Sequence, residues 1–342
     1  MRKWKSRMAN RKKVRRKTER DSAEIIEGIR AGIRSDLAQA ITLVESNASR
    51  HFHVSQNIIQ QITPLTGKSI RIGISGVPGA GKSTFIEAFG LYLCEKGHKV
   101  AVLAVDPSSS KSGGSILGDK TRMEQLARHP RAFIRPSPSS GTLGGVHRKT
   151  RESILLCEAA GFDVILVETV GVGQSEAIVR EMVDFFLLLV LTGAGDELQG
   201  MKKGIMELVD AIVVNKADGD NKARAEKTAQ EYKQILHFLQ PATKGWETKA
   251  FTCSALHQLG IDKAWKTIEE FVYCTKETGV FESRRNEQKK TWFYTSLKDQ
   301  IERMFFDDEK VKKQLPLLEK SMRVDEVSVS MAVEQLLDEY KR

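Results

Sequence analysis

The residues Gly76-Val-Pro-Gly-Ala-Gly-Lys82-Ser83 have the types and spacing needed to cradle phosphate groups. Glycines let a backbone curl until successive N–H groups face one point, and a helix starting there adds its positive end. Gly76, Gly79, Ala80, Gly81, Lys82, Ser83 and Thr84 are the candidate contacts. Lys82 is placed to bridge a β- and a γ-phosphate, and Ser83 to hold Mg²⁺. A second recognition string, Asn215-Lys216-Ala217-Asp218, lies far downstream. A carboxylate at Asp218 can accept from the N1–H and exocyclic amine of guanine, a pair of donors that adenine does not offer. Asn215 would brace this loop and the Lys216 stem would lie along the base, while Ser254, Ala255 and Leu256 could bring a backbone N–H to the guanine O6.

Between these strings stand the carboxylates that could hold a divalent cation. Asp106, in Asp-Pro-Ser-Ser-Ser, and Asp119, in Gly113-Gly-Ser-Ile-Leu-Gly-Asp119-Lys-Thr-Arg, are candidates for Mg²⁺ contact, with a helix cap or a turn as the plainer reading of each. Glu168-Thr-Val-Gly171 has the form carboxylate-x-x-Gly: the acid would lie beside the metal, and Gly171 could offer an N–H to a γ-phosphate and swing when that phosphate leaves. Val172 occupies the place where many such enzymes carry a water-orienting Gln, so unaided hydrolysis should be slow; Gln174 could substitute only if the loop refolds. Gly193-Ala-Gly-Asp196-Glu-Leu-Gln-Gly200-Met-Lys202-Lys203-Gly204 reads as a third nucleotide-responsive loop, or as an ordinary strand-to-helix connection.

Positioning these groups requires strands that end at one edge. Apolar runs at Ile70–Ile74, Val100–Val105, Phe133–Arg135, Val164–Val167, Phe185–Leu191, Ala211–Val214 and Lys249–Thr252 alternate with helical patterns. Most lack period-two alternation, as expected for strands covered on both faces. The fold class that follows is α/β, a P-loop NTPase with a doubly wound, mainly parallel sheet, a helix over Thr84–Glu95, N-terminal helices and a C-terminal helical arm. The expected division is a basic tail at 1–20, a helical extension at 21–65 with Ser35 capping one helix, a nucleotide-binding domain at 66–272 and an arm at 273–342. Within the arm, a charged linker at 281–290 precedes a stripe of Trp292, Phe293, Leu297, Ile301, Met304 and Phe305, which either faces the domain core or reaches a second subunit.

The net charge of +10 sits at the front: residues 1–20 carry eleven Lys or Arg against Glu19, and the remainder carries 43 of each sign. Such a run reads as a solvated tail, as an electrostatic attachment to RNA or an acidic partner, or as an Arg-rich mitochondrial targeting segment. Cys94, Cys157, Cys253 and Cys274 show no Cys-x-x-Cys spacing, which argues against a zinc site or a disulfide framework and for reduced thiols in a cytosol. The longest apolar run, Phe185–Leu191, is far short of a membrane span.

Several longer strings carry a family likeness. Asp106-Pro-Ser-Ser, Gly113-Gly-Ser-Ile-Leu-Gly-Asp-Lys-Thr-Arg-Met, Ile134-Arg-Pro-Ser-Pro, Gly141-Thr-Leu-Gly-Gly, Glu168-Thr-Val-Gly-Val-Gly-Gln-Ser-Glu and Gly195-Asp-Glu-Leu-Gln-Gly-Met-Lys-Lys-Gly resemble the ArgK/MeaB/MMAA family of G proteins, from about Leu37 to the end of the chain. The resemblance implies a homodimeric GTPase chaperone of methylmalonyl-CoA mutase, an adenosylcobalamin enzyme. Such proteins gate cofactor loading and protect or reactivate the mutase, and they hydrolyse GTP slowly until the mutase binds. It implies further that the acids matching Asp106, Asp119 and Glu168 surround Mg²⁺, that the loop with Asp196 and Lys202 couples nucleotide state to the mutase, and that the C-terminal extension is a dimerisation arm. Lys82, Glu168, Gly171 and Lys202 are on this basis the candidate catalytic residues. The expected compartment is the cytoplasm, or the mitochondrial matrix in a eukaryote. The basic tail is unlike that of most members, and Thr192-Gly193 stands where some carry Pro. Two other functions are open: an ATPase or kinase linked to basic amino-acid transport, a label members have carried, and an RNA-associated GTPase using the basic tail.

Overall fold

In a computed structural model the protein is described over residues 22–46, 48–106, 123–138, 143–169, 175–192 and 203–341. Strands β1 (Ile70–Gly76), β2 (Val100–Asp106), β3 (Ala132–Pro138), β4 (Val164–Thr169), β5 (Phe185–Val190), β6 (Ala211–Val214) and β7 (Lys249–Thr252) form one parallel sheet in the order β3-β2-β4-β1-β5-β6-β7. All seven apolar runs are strands, with ends shifted by a few residues. The helices are α1 (Ser22–Arg30), α2 (Arg34–Glu45), α3 (Ser49–Ile62), α4 (Lys82–Glu95), α5 (Glu124–Arg128), α6 (Leu143–Ala159), α7 (Ser175–Arg180), α8 (Lys203–Met206), α9 (Lys222–His237), α10 (Ile261–Glu277), α11 (Val280–Asp307), α12 (Glu309–Arg323) and α13 (Val329–Lys341). Among the described residues no helix is long and apolar enough to cross a membrane.

The unbroken apolar strands serve two cores at once. In β5 every residue is buried: Phe185, Leu187 and Leu189 face a core built with α4, α5 and α10, whereas Phe186, Leu188 and Val190 face one built with α1–α3, α6, α7 and α9. Each such side chain contributes about 1.5–3 kcal/mol by leaving water. The chain winds from β1 through β2 and β3 to β4 on one side of β1, then through β5 to β7 on the other. The reversal beside β1 opens a crevice at the C-terminal edge of the sheet, the usual ligand position in such folds.

The helical extension consists of α1–α3, packed on α6. Ser35 does not cap α2: that helix starts two residues earlier than such a cap requires, at Arg34, Ile33 occupies the cap position, and no side chain accepts there. Arg34 instead donates to the carbonyls of His129 (2.7 Å) and Pro130 (2.6 Å), tying α2 to the turn before β3. All four cysteines are free; burial pushes the Cys94 thiol up to about 11 and that of Cys253 up to about 12, while Cys274 is exposed.

The arm is helical as expected, and its charged stretch packs against the domain instead of linking to it. Residues 281–290 form the first half of α11, and α10 runs through the expected boundary at 272. Arg285 is buried there. Its Nε and Nη2 donate to the two carboxylate oxygens of Asp184 at 2.7 Å each, and the same guanidinium reaches the carbonyls of Gly67 (2.5 Å) and Ser69 (2.6 Å). Asp184 also accepts from the N–H of Arg71 at 2.8 Å. The root of the arm is thus held at the N-terminal edge of the sheet. Arg285→Ala would leave Asp184 buried without its cation, so urea denaturation should show a loss of about 3–5 kcal/mol.

Beyond its root α11 still runs near α6, where the Arg303 charge reaches Lys149 and Glu152. Asp308 ends α11 and caps α12, its carboxylate accepting from the N–H groups of Lys310 (2.8 Å) and Val311 (3.2 Å). The hairpin of α12 and α13 closes on Val311, Leu318, Ala332 and Leu336, against which Phe305 packs. Most of the expected stripe does not face the domain core: Phe293, Leu297, Ile301 and Met304 are exposed, whereas Trp292 turns inward toward Arg151 on α6.

Candidate nucleotide site

The phosphate-binding string lies between β1 and α4, at the crevice beside β1. Gly76 ends β1 so close to β5 that a Cβ there would lie 2.4 Å from the Leu189 carbonyl oxygen. Gly81 is left-handed (φ +84°) at the start of α4, and a Cβ on it would meet the Asn215 amide nitrogen at 2.8 Å. These two positions therefore demand glycine for both conformation and space. Ala80 is buried and its N–H closes a turn onto the Val77 carbonyl at 3.1 Å; Gly79 is left-handed with open space around it. Helix α4 begins at Lys82, two residues before the expected start, which puts Ser83 and Thr84 in its first turn. The Lys82 ammonium folds over the loop, donating to the carbonyls of Gly76 (2.8 Å) and Val77 (3.4 Å). A phosphate reached from there would replace neutral acceptors by a charged one.

Glu168 sits on β4 in register with Ile74 of β1 and Ala104 of β2, which brings its carboxylate to the loop from the neighbouring strand. The Ser83 hydroxyl donates to Glu168 Oε1 at 3.3 Å. Two hard oxygen donors side by side at the mouth of a phosphate loop fit Mg²⁺, which keeps several waters and takes few protein ligands. Asp106 ends β2 at the same edge of the sheet, but its side chain lies outside the described residues, as do Asp119, Gly171, Val172, Gln174, Asp196 and Lys202. Beneath the carboxylate, Thr169 Oγ1 donates to Ser75 Oγ at 2.8 Å, both side chains fully buried. That bond ties the strand carrying Glu168 to the strand carrying the loop.

Asn215 joins the two recognition strings. It is 2% exposed; its amide nitrogen donates to the Ala80 carbonyl at 2.8 Å, its amide oxygen accepts from the Ala255 N–H at 3.1 Å, and its own N–H reaches Val190 at 2.9 Å. One side chain therefore spaces the phosphate loop from the candidate base loop. Lys216 adopts φ +59°, rare for a side chain with a Cβ, and Ala217 donates to the Cys253 carbonyl at 3.0 Å. Ser254 is fully buried and its hydroxyl donates to Asp218 Oδ2 while accepting from the His257 N–H at 3.3 Å. Asp218 is thus aimed before any base arrives. Leu256, next to these groups, is 73% exposed and can lie against a flat ring.

Two residues support the site that its motifs alone do not assign to it. Asn221 donates to the Lys216 carbonyl at 2.7 Å and accepts from the Thr192 hydroxyl at 2.7 Å, linking the base loop to the end of β5. Its place just before α9 signals a helix cap, which hides the tertiary use of its side chain. Thr192 carries no signal of its own.

Known proteins resemble this chain in sequence and in fold. The family model described as Methylmalonyl Co-A mutase-associated GTPase MeaB matches residues 37–310. A putative GTPase of Caulobacter vibrioides is 53% identical, covering 90% of this chain and 94% of that protein. The mitochondrial methylmalonic aciduria type A homolog of Mus musculus is 44% identical over 95% of this chain and 81% of its own length. A solved structure described as LAO/AO transport system kinase superposes with a TM-score of 0.73 at 39% identity, covering 95% of this chain and 99% of that one.

Proposed function

Because the chain belongs to the family of MeaB methylmalonyl-CoA mutase-associated GTPases, we propose that it binds and hydrolyses GTP as a chaperone of an adenosylcobalamin-dependent mutase, gating cofactor loading and protecting or reactivating the enzyme. The observation that carries the nucleotide half of this reading is Asn215, which holds the phosphate loop at Ala80 and the base side at Ala255 with one amide. Asp218, oriented by Ser254, selects guanine; the backbone of Gly76–Gly81 and the N-terminus of α4 receive the phosphates; Lys82 moves from its carbonyls onto the β- and γ-phosphates. Ser83 and Glu168, together with the sequence candidates Asp106 and Asp119, would hold Mg²⁺, which would supply charge neutralisation on the phosphates. Gly171 is assigned the γ-phosphate contact, and Lys202 and Asp196 the loop that answers to the mutase.

The regulatory half rests on Val172 in the water-orienting position, which leaves the resting enzyme slow. The exposed apolar stripe on α11 supports a homodimer. Adding a purified adenosylcobalamin-dependent methylmalonyl-CoA mutase should raise GTP turnover at least tenfold, measured as released phosphate at saturating GTP. A turnover indifferent to the mutase, together with no complex on gel filtration, would remove the chaperone reading and leave the GTPase standing. ATP turnover equal to that with GTP would instead favour the kinase-like alternative.

A further inference from the structure

The connection between α7 and β5, residues 180–184, is gripped from two directions. From α11, Gln288 Nε2 donates to the Val183 carbonyl at 2.8 Å, Arg284 Nη1 to the Asp184 carbonyl at 2.5 Å, and Arg285 takes the Asp184 carboxylate. From α6, Arg151 donates through Nη2 to the Glu181 carbonyl at 2.6 Å and through Nη1 to the Gln288 carbonyl at 3.0 Å, so it holds the connection and the arm together. Arg180 at the end of α7 and Arg284 both reach Thr243, and both pair with Asp210. This interface lies close in sequence to the metal side of the site: only six residues separate Glu168 from α7, and α7 itself has six.

The grip is incompletely satisfied. Gln288 Oε1, Arg151 Nε and Trp292 Nε1 are buried without a hydrogen-bond partner, and the Arg151 guanidinium lies 5.8 Å from the Trp292 ring centre. A small displacement of α11 along α6 could bring Gln288 Oε1 to Arg151 Nε, with Trp292, four residues on along the same helix, moving with it. Buried polar groups are otherwise almost always paired, so these leftovers call for an explanation, and a second arrangement of the same parts supplies one. Helix α11 is 28 residues, about 42 Å at 1.5 Å per residue, so a turn of ~5° at its root carries its far end by about 4 Å.

We propose that residues 180–184 and the root of α11 form a clasp with two settings, through which occupancy of the nucleotide site sets the lie of the α11–α13 arm. The inference rests on the GTPase reading above and adds the route by which that site is read at a distance. Movement of α7 shifts the carbonyls of Glu181, Val183 and Asp184; Gln288, Arg284 and Arg151 follow them, and the arm turns as one piece. By linkage, whatever holds the arm in one setting must alter nucleotide affinity by the same factor.

The test uses the full chain in a Cys274→Ser background with spin labels at Glu95→Cys on α4 and Glu319→Cys on α12, both exposed positions. Labelled chain is diluted with unlabelled chain so that only distances within one chain are read. Pulsed EPR should show distance distributions displaced by about 3 Å or more between GDP and a non-hydrolysable GTP analogue, the scale set by that lever. Gln288→Leu, and separately Arg284→Lys, should each shrink the displacement by more than half while fluorescent-GDP affinity stays within threefold of the parent. A displacement unchanged in both variants, or none in the parent with nucleotide bound, overturns the clasp. Occupancy is measured on the same samples, so failure to bind guanine nucleotide counts against the GTPase reading and is told apart from an arm that does not move.

Discussion

Asp218→Asn is expected to weaken GTP and GDP binding by roughly 10²–10³-fold, because hydrogen bonds to a charged acceptor contribute about 1.5–3 kcal/mol each and two are lost together. The amide cannot accept from both guanine donors, but it can donate to the 2-oxo group of xanthine. Xanthosine triphosphate should therefore gain where GTP loses, and the two effects together reverse the preference. Ser254, which donates to the carboxylate, can still donate to the amide oxygen, so the loop should keep its shape. Competition of each triphosphate against fluorescent GDP measures both changes in one experiment. GTP affinity within a factor of three of the parent would sink the assignment of Asp218 as the guanine acceptor.

Lys82→Ala should cost roughly 10²–10³-fold in GTP turnover, the usual loss when one preorganised charged donor is taken from a developing oxyanion. Triphosphate affinity should fall with it. Among the acceptors of its ammonium are the Gly76 and Val77 carbonyls, ordinary loop groups, and folding is expected to survive the substitution. Circular dichroism and a melting curve check that point, and single-turnover hydrolysis at saturating nucleotide separates binding from chemistry. A turnover loss below tenfold would show that phosphate charge is met elsewhere.

The seven strands and both recognition strings were legible in the sequence for a local reason. A phosphate loop needs glycines within eight residues of a strand, and a strand buried on both faces needs an unbroken apolar run; neither depends on distant partners. The helical arm is legible too, but the packing of its root is not, because its logic is entirely distant. Arg284, Arg285 and Gln288 sit in a run of charges that looks solvated, and nothing local reveals that Asp184 and Asp210 wait at the starts of β5 and β6. Asn215 was read only as a brace for its own loop, and its bond to Ala80 needed the sheet order to appear. Ser35 looked like a cap by type, but the start of α2 is fixed by Arg34 reaching across to another turn.

The arm is anchored where strands begin, at Gly67, Ser69 and Asp184, whereas every described candidate nucleotide contact gathers where strands end. A partner gripping that root would sit at the opposite edge of the sheet from the candidate phosphate and base contacts, leaving the mouth of the crevice clear of that grip.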